Sequence, residues 1–331
     1  MLNKIYETTL QYIKKEYKFL IILLLTFALF TIRLPYYIDM PGGLIDVSKR
    51  IVLDNKQLSG TLNMTYVTET QATIPSYIVA KINKNWDIIK KEEVILKNET
   101  EEDVKFRDEI NMKTSISNAL YSGLKESNEE FKTKNNKVFV THIYENAKTD
   151  LKIQDQIIEI NDKKINTLED IKEITKEEQN LKIKVINKNK EYIRHAEVIE
   201  LEGNKIIGIL TGETFDIETN HKIKISNKVR ESGPSGGMMM ALSVYNYLTE
   251  DLTNNKKIAG TGTIDKNGNV GEIGGVKYKL IGAVKNKADL FLVPKENYEE
   301  AMKVKEENGY DIKIVSVSTL KDAINTLKNY N

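Results

Sequence analysis

Gly233-Pro234-Ser235-Gly236-Gly237 runs directly into the apolar segment Met238 to Leu242. A small hydroxyl residue is thereby held between glycines where a helix can begin. Its side chain would be reachable, and nearby backbone N–H groups would be free to bind an anion. Such a setting suits a nucleophilic serine. Read alone, the pentad is better explained as a helix N-cap behind a glycine-rich turn. What favours catalysis is a second tract, Gly274-Gly275-Val276-Lys277-Tyr278-Lys279, which follows a glycine-punctuated pair of strands.

Composition narrows the chemistry. The 331 residues are enough for two compact domains. Lys plus Arg number 49 against 48 Asp plus Glu, a balance that gives no reason to expect nucleic acid. No cysteine occurs, which removes thiol nucleophiles, disulfides and cysteine-type zinc sites. His142, His195 and His221 are scattered without ligand spacing, so neither a metal nor another cofactor is expected. A hydrolase built on Ser235 must then use an oxygen nucleophile with a base, and a partly buried lysine can serve because desolvation disfavours the ammonium.

The N-terminal 18 residues carry Lys4, Lys14, Lys15 and Lys18, and Phe19 to Ile32 is free of charge. Counting flanking residues as far as Ile38, the segment 19–38 is expected to be a single transmembrane anchor, with residues 1–18 cytoplasmic and the remainder at the outer face of the cell membrane. No small-x-small cleavage site follows it. Residues 40–124 read as strands at Val47 to Leu53 and Leu62 to Thr68, a helix at Tyr77 to Ile89, a charged run from Lys90 to Asp108 and a helix from Met112 to Ser127.

From Lys137 the texture changes. Val138 to Val140 reads as a strand, Gln154 to Asn161 as a turn entering a strand, Leu168 to Thr175 as a short helix, and Leu181 to Ile186 with Tyr192 to Glu200 as a hairpin. Residues 125–202 thus form a small β-rich module. It resembles a PDZ domain, on the run Asp155-Gln156-Ile157-Ile158-Glu159-Ile160-Asn161, with Gln154 where that family usually has glycine. In residues 205–331 larger elements return. Strands are expected at Ile206 to Leu210, Lys222 to Ser226, Ile258 to Ile264, Leu290 to Val293 and Asp311 to Val317. Helices are expected at Met238 to Leu248, Val276 to Lys285, Tyr298 to Glu307 and Leu320 to Leu327, giving an α+β or layered α/β domain. Asn267-Gly268 marks a hairpin turn.

The tracts GPSGGMMMAL and GGVKYKLIGA, with Gly260-Thr261-Gly262-Thr263-Ile264 and Gly268-Asn269-Val270-Gly271-Glu272-Ile273, together resemble the proteolytic domain of Lon proteases. The resemblance implies a layered α/β domain with a mixed sheet and a Ser-Lys dyad. It places the nucleophile at Ser235, inside the turn Gly233, Pro234, Gly236 and Gly237. The general base falls on Lys279 in the second motif of Gly274, Gly275 and Lys277, and a positioning threonine on Thr261. Gly236 replaces the family's usual alanine. Lys277 is the alternative base, but the two lysines lie about 200° apart around a helix, so only one can face Ser235.

With an anchor and a PDZ-like module, the likeness narrows to membrane-anchored, ATP-independent Lon-like proteases of Gram-positive bacteria. The expected substrates are peptides or flexible protein segments, among them secreted signalling peptides or membrane proteins. Lon-type domains often form rings, which implies a homo-oligomer. Two arrangements of the module are open, insertion into the protease domain or beads in series, and insertion is the preferred one. A Ser-His-Asp triad is disfavoured, because the polar Asn227 to Ser232 replaces the core strand that such a serine needs and every histidine precedes Ser235. The competing class is a catalytically inactive, anchored scaffold that binds peptide termini.

Overall fold

The structure is a computed structural model that describes residues 2–53, 58–97, 99–201, 203–226 and 233–330. The stretch from Asn227 to Ser232, used above against a triad, lies outside the described residues. The chain forms two compact units, one of residues 1–41 and 67–94 and the other of residues 42–66 and 95–331.

In the first unit, helix α1 (Leu2–Thr31) is long, but its charge-free part begins only at Phe19. That part spans about 20 Å, against a hydrocarbon core of about 30 Å. Arg33 to Ile38, counted above toward a membrane span, leave the helix and open the strand Arg33–Asp46. Among the described residues no helix is long and apolar enough to cross a membrane, which overturns the expected transmembrane anchor at 19–38. The strand pairs antiparallel with Asp87–Lys90, setting Tyr36 opposite Lys90. Helix α2 (Ile74–Ile82) starts at a capping box between Thr73 and Ser76 and is shorter than the helix expected from Tyr77 to Ile89. It stops because the Asn83 side chain accepts the Asn85 N–H at 3.0 Å, an Asx turn that redirects the chain into the strand. Ile38, Ala72 and Ala80 form this unit's small core. A single helical turn, α3 (Lys91–Val94), follows.

In the second unit the strands Lys313–Val317, Leu290–Pro294, Lys257–Gly260 and the start of Thr61–Thr73 lie side by side and parallel. Their alternation sorts side chains to two faces. Leu290, Leu292 and Ile258 join a core with α4 (Glu101–Glu126), α6 (Gly237–Leu248) and α9 (Leu320–Lys328). Phe291, Val293 and Ala259 join a separate core with α7 (Val276–Lys285) and α8 (Tyr298–Asn308). Parallel strands buried on both faces by helices make a three-layer α/β arrangement. The residues 61–66 that enter this sheet come from far upstream of the others.

Helix α4 unites the end of the charged run with the helix expected from Met112, because the capping box of Thr100 and Asp103 starts it at Glu101. The short strand expected at Val138 to Val140 is part of a long antiparallel ribbon, Phe131–Ile143 with Ile209–Thr219, in which Phe131 faces Thr219 and Ile143 faces Ile209. The strand expected at Ile206 to Leu210 is instead divided between the end of Asn204–Ile206 and the start of the ribbon. Val47 to Leu53 is likewise not one strand: Val47–Lys49 is a 3-10 turn, and Ile51–Leu53 pairs with Ile223–Ile225.

The ribbon carries the β-rich module. Strands Gln156–Ile160, Asn180–Asn187 and Lys190–Glu197 continue its sheet, and α5 (Leu168–Glu177) covers one face. Their own core includes Val138, Val140, Ile157, Ile160, Ile171, Ile183 and Val185. At the turn before Asp155, Gln154 takes the left-handed conformation with φ of 76°, so the backbone keeps a glycine-like geometry without glycine.

Candidate active site

Ser235 sits in a tight turn at the start of α6, half-buried, with Gly236 as the N-cap. From Gly237 to Tyr247 every residue of α6 is buried, as expected for a helix apolar all round. Met238, Met239 and Met240 belong to this core, which disposes of a methionine-rich binding face. The turn is closed by the Gly237 N–H, which donates to the Pro234 carbonyl at 3.1 Å. Gly236 has a packing reason. A Cβ there would lie 2.5 Å from Met64 Sδ, so glycine rather than alanine lets Met64 of the neighbouring strand rest against the turn. Gly233 has a φ of 88°, a conformation that glycine adopts without strain.

Thr261 and Gly262 follow the carboxyl end of the strand Lys257–Gly260, the edge of a parallel sheet at which sites are commonly built. Thr261 is fully buried. Its N–H donates to the Leu292 carbonyl at 3.0 Å and its hydroxyl to the Ser235 carbonyl at 3.1 Å. The Gly262 N–H donates to the same Ser235 oxygen at 2.7 Å, and the Met238 N–H returns to the Gly262 carbonyl at 3.0 Å. Ser235 and Thr261 are thus brought together directly. The contact runs through the serine backbone carbonyl rather than through a side chain of the expected dyad.

Gly274 is exposed, and Gly275 caps α7 with a left-handed φ of 68°. One turn later the sequence offers two lysines, and the structure separates them. Lys277 is half-buried with its amine 5.3 Å from the Tyr278 ring centroid. Lys279 is only 4% exposed, in a stretch of α7 where Tyr278, Leu280 and Ile281 are buried as well. Burial alone pulls its pKa from 10.5 down to about 8. Among the described residues Lys279 Nζ has no hydrogen-bonding partner. This amine is therefore deprotonated in a useful fraction of molecules near neutral pH, the property required of a general base.

Sequence reasoning missed one group. Ser115 of α4, 119 residues upstream, donates its hydroxyl to the Pro234 carbonyl at 3.0 Å. Three residues on, Asn118 Nδ2 donates to the Ile264 carbonyl at 3.1 Å, in the hairpin that follows Thr261 and Gly262. Their i, i+3 spacing on a helix was the available signal, but nothing local in sequence links it to the turn. Among the described residues no group of three or more His, Asp or Glu side chains is placed to hold a metal ion.

Comparison with known proteins assigns this region. Residues 210–329 match the family model of the Lon protease (S16) C-terminal proteolytic domain. The Lon protease of Campylobacter concisus is 37% identical over 97 residues, covering 29% of this chain and 12% of that protein. The Lon protease of Azospirillum brasilense is 33% identical over 94 residues, covering 28% of this chain and 12% of that protein. Lon protease homolog 2, peroxisomal, of Caenorhabditis elegans is 31% identical over 121 residues, or 37% of this chain and 15% of that protein. The chain thus spans only a small part of the curated relatives it matches. The matched region contains Ser235, Thr261 and Lys279, and residues 210–329 are thus similar to the Lon protease (S16) C-terminal proteolytic domain.

Proposed function

We propose that this protein is a serine endopeptidase with Ser235 as nucleophile and Lys279 as general base. The observation that carries the reading is Lys279 itself, a lysine buried to 4% exposure with a pKa near 8, inside a region similar to a proteolytic domain and one turn beyond Gly275. Neutral Lys279 takes the Ser235 hydroxyl proton as the oxygen attacks a peptide carbonyl. It then delivers that proton to the leaving amine as the C–N bond breaks. Water attacks the acyl-enzyme, Lys279 accepts the water's proton and returns it to Ser235 Oγ, and the acid product departs.

The proposed substrates are peptides or flexible segments that need no unfolding and are cleaved without nucleotide. The β-rich module assists by capturing a substrate strand at its sheet edge, as PDZ domains do. The test is cleavage of a fluorogenic peptide without nucleotide by the parent chain, Ser235→Ala, Lys279→Ala and Lys277→Ala. Activity is expected in the parent and in Lys277→Ala, with loss of at least about a thousandfold in the other two. Equal rates in the parent and Lys279→Ala would remove the assignment of the base.

A further inference from the structure

The turn around Ser235 has two successive peptide groups whose carbonyls are both held inward. The Pro234 carbonyl receives the Ser115 hydroxyl at 3.0 Å and the Gly237 N–H at 3.1 Å. The Ser235 carbonyl receives the Gly262 N–H at 2.7 Å and the Thr261 hydroxyl at 3.1 Å. In a planar trans peptide the N–H points opposite to the C=O. Pinning these two carbonyls therefore aims the N–H groups of Ser235 and Gly236 the other way. The next two N–H groups, of Gly237 and Met238, are consumed by Pro234 and Gly262. Among the described residues neither the Ser235 nor the Gly236 N–H has a partner.

We infer that Ser115 is a positioning residue that, with Thr261 and Gly262, orients the Ser235 and Gly236 N–H groups as a two-donor oxyanion hole. Ser115 does not touch the substrate. It is 2% exposed, on a helix that belongs to the same core as α6, and its oxygen lies so near the turn that a Cβ on Gly237 would come within 2.8 Å of it. Its hydroxyl spends its proton on the Pro234 carbonyl. Asn118 acts alongside it by holding the Ile264 carbonyl, which keeps the hairpin after Gly262 against α4. Because the carbonyl is fixed before any substrate arrives, the donor is pre-aimed at the position where negative charge develops.

This inference rests on the serine-lysine reading above. Its test uses the full chain, a fluorogenic peptide and a peptidyl aldehyde that forms a tetrahedral adduct, with rates expressed per serine labelled by a fluorophosphonate. Ser115→Ala is expected to lower kcat by roughly 10- to 100-fold with KM within about threefold, and to weaken the aldehyde by the same factor as kcat/KM. Ser115→Cys, which is slightly larger and keeps a weaker donor, should fall between, and it carries the test if the alanine variant does not fold. Ser122→Ala removes a hydroxyl bonded within the same helix, to the Asn118 carbonyl, and should match the parent. Parent-like kcat in Ser115→Ala or Ser115→Cys would overturn the inference, as would kcat loss without weaker aldehyde binding. Peptide cleavage that survives Ser235→Ala would instead remove the serine-lysine reading, and the inference with it.

Discussion

Thr261 donates its hydroxyl proton to the carbonyl oxygen of Ser235, 3.1 Å away, and so ties the end of a central parallel strand to the turn that carries the nucleophile. Thr261 is fully buried and has its backbone N–H anchored on Leu292 of the next strand. Thr261→Val keeps the volume but removes the donor. The Ser235 oxygen still accepts from Gly262, so the turn should loosen rather than collapse. The expected result is a loss of about 1 to 2 kcal/mol in urea unfolding together with a kcat reduction of about tenfold. A variant with parent stability and parent kcat would show that this bond is incidental.

Lys279 predicts a pH profile. Its pKa of about 8 means that roughly a tenth of molecules have a neutral amine at pH 7, and the proportion rises through pH 8. The rate of peptide cleavage should therefore climb with pH between 6 and 9, with a midpoint near 8, measured as kcat/KM on an uncharged peptide. A profile flat across that interval would exclude a titrating base at this position.

The same burial has a cost for the fold. The unfolded chain holds a proton on Lys279 up to pH 10.5, whereas the folded chain releases it near 8. Between those values the unfolded state binds more protons, so stability rises with pH, and the penalty is full below about 8. Its size is about 3 kcal/mol. Lys279→Met should therefore be inactive yet more stable than the parent at pH 7, with the advantage shrinking as pH approaches 10.5. Denaturant titrations at pH 7 and pH 10 test this directly.

Much of the catalytic half was legible because its signals are local. The helix Val276–Lys285 was bounded by Gly275 at one end and a basic last turn at the other, and its bounds agree with the sequence reading. The strand Leu290–Pro294 was an apolar run stopped by proline. What stayed hidden depends on distant partners. The ribbon Phe131–Ile143 begins with the polar run Lys132 to Lys137, which acquires strand form only by pairing with Ile209–Thr219. The same holds for Ser115, whose role requires α4 to pack beside a turn that lies far along the chain. The N-terminal error had a different origin. Counting the flanking Arg33 to Ile38 toward the span did not foresee that they leave the helix for a strand, in which Tyr36, Tyr37 and Ile38 pair with Lys90, Ile89 and Ile88.

Gln154 holds a left-handed φ of 76° where glycine would carry no Cβ penalty. An L-residue there costs roughly 1 to 2 kcal/mol. The Gln154 side chain recovers part of that through Nε2, which donates to Asp103 Oδ1 at 3.3 Å on α4. Comparing Gln154→Gly with Gln154→Ala isolates the backbone term, since both lose this contact. The glycine variant should be the more stable of the two by about 1 kcal/mol in urea unfolding. Equal stabilities would mean that the turn relaxes when the side chain is removed.

Asp155, the next residue, anchors the β-rich module from inside. It is fully buried and accepts from the Lys152 N–H at 2.8 Å, the Asn187 side chain at 2.7 Å and Arg194 Nε at 3.1 Å. Arg194 is itself largely buried, with its guanidinium 5.0 Å from the Tyr192 ring centroid. Removing the carboxylate would leave that guanidinium without its counter-charge in a region from which water is largely excluded. Asp155→Ala should therefore cost about 3 to 5 kcal/mol, far more than an exposed pair such as Lys134 with Glu218 would. The strain lies in the orphaned charge rather than in the lost bond, so Asp155→Ala combined with Arg194→Leu should be less destabilised than the sum of the single variants by about 1 to 3 kcal/mol. Strict additivity in a double-mutant cycle would show that the two groups are independent, and that the turn bonds from Lys152 and Asn187 alone account for the effect of Asp155.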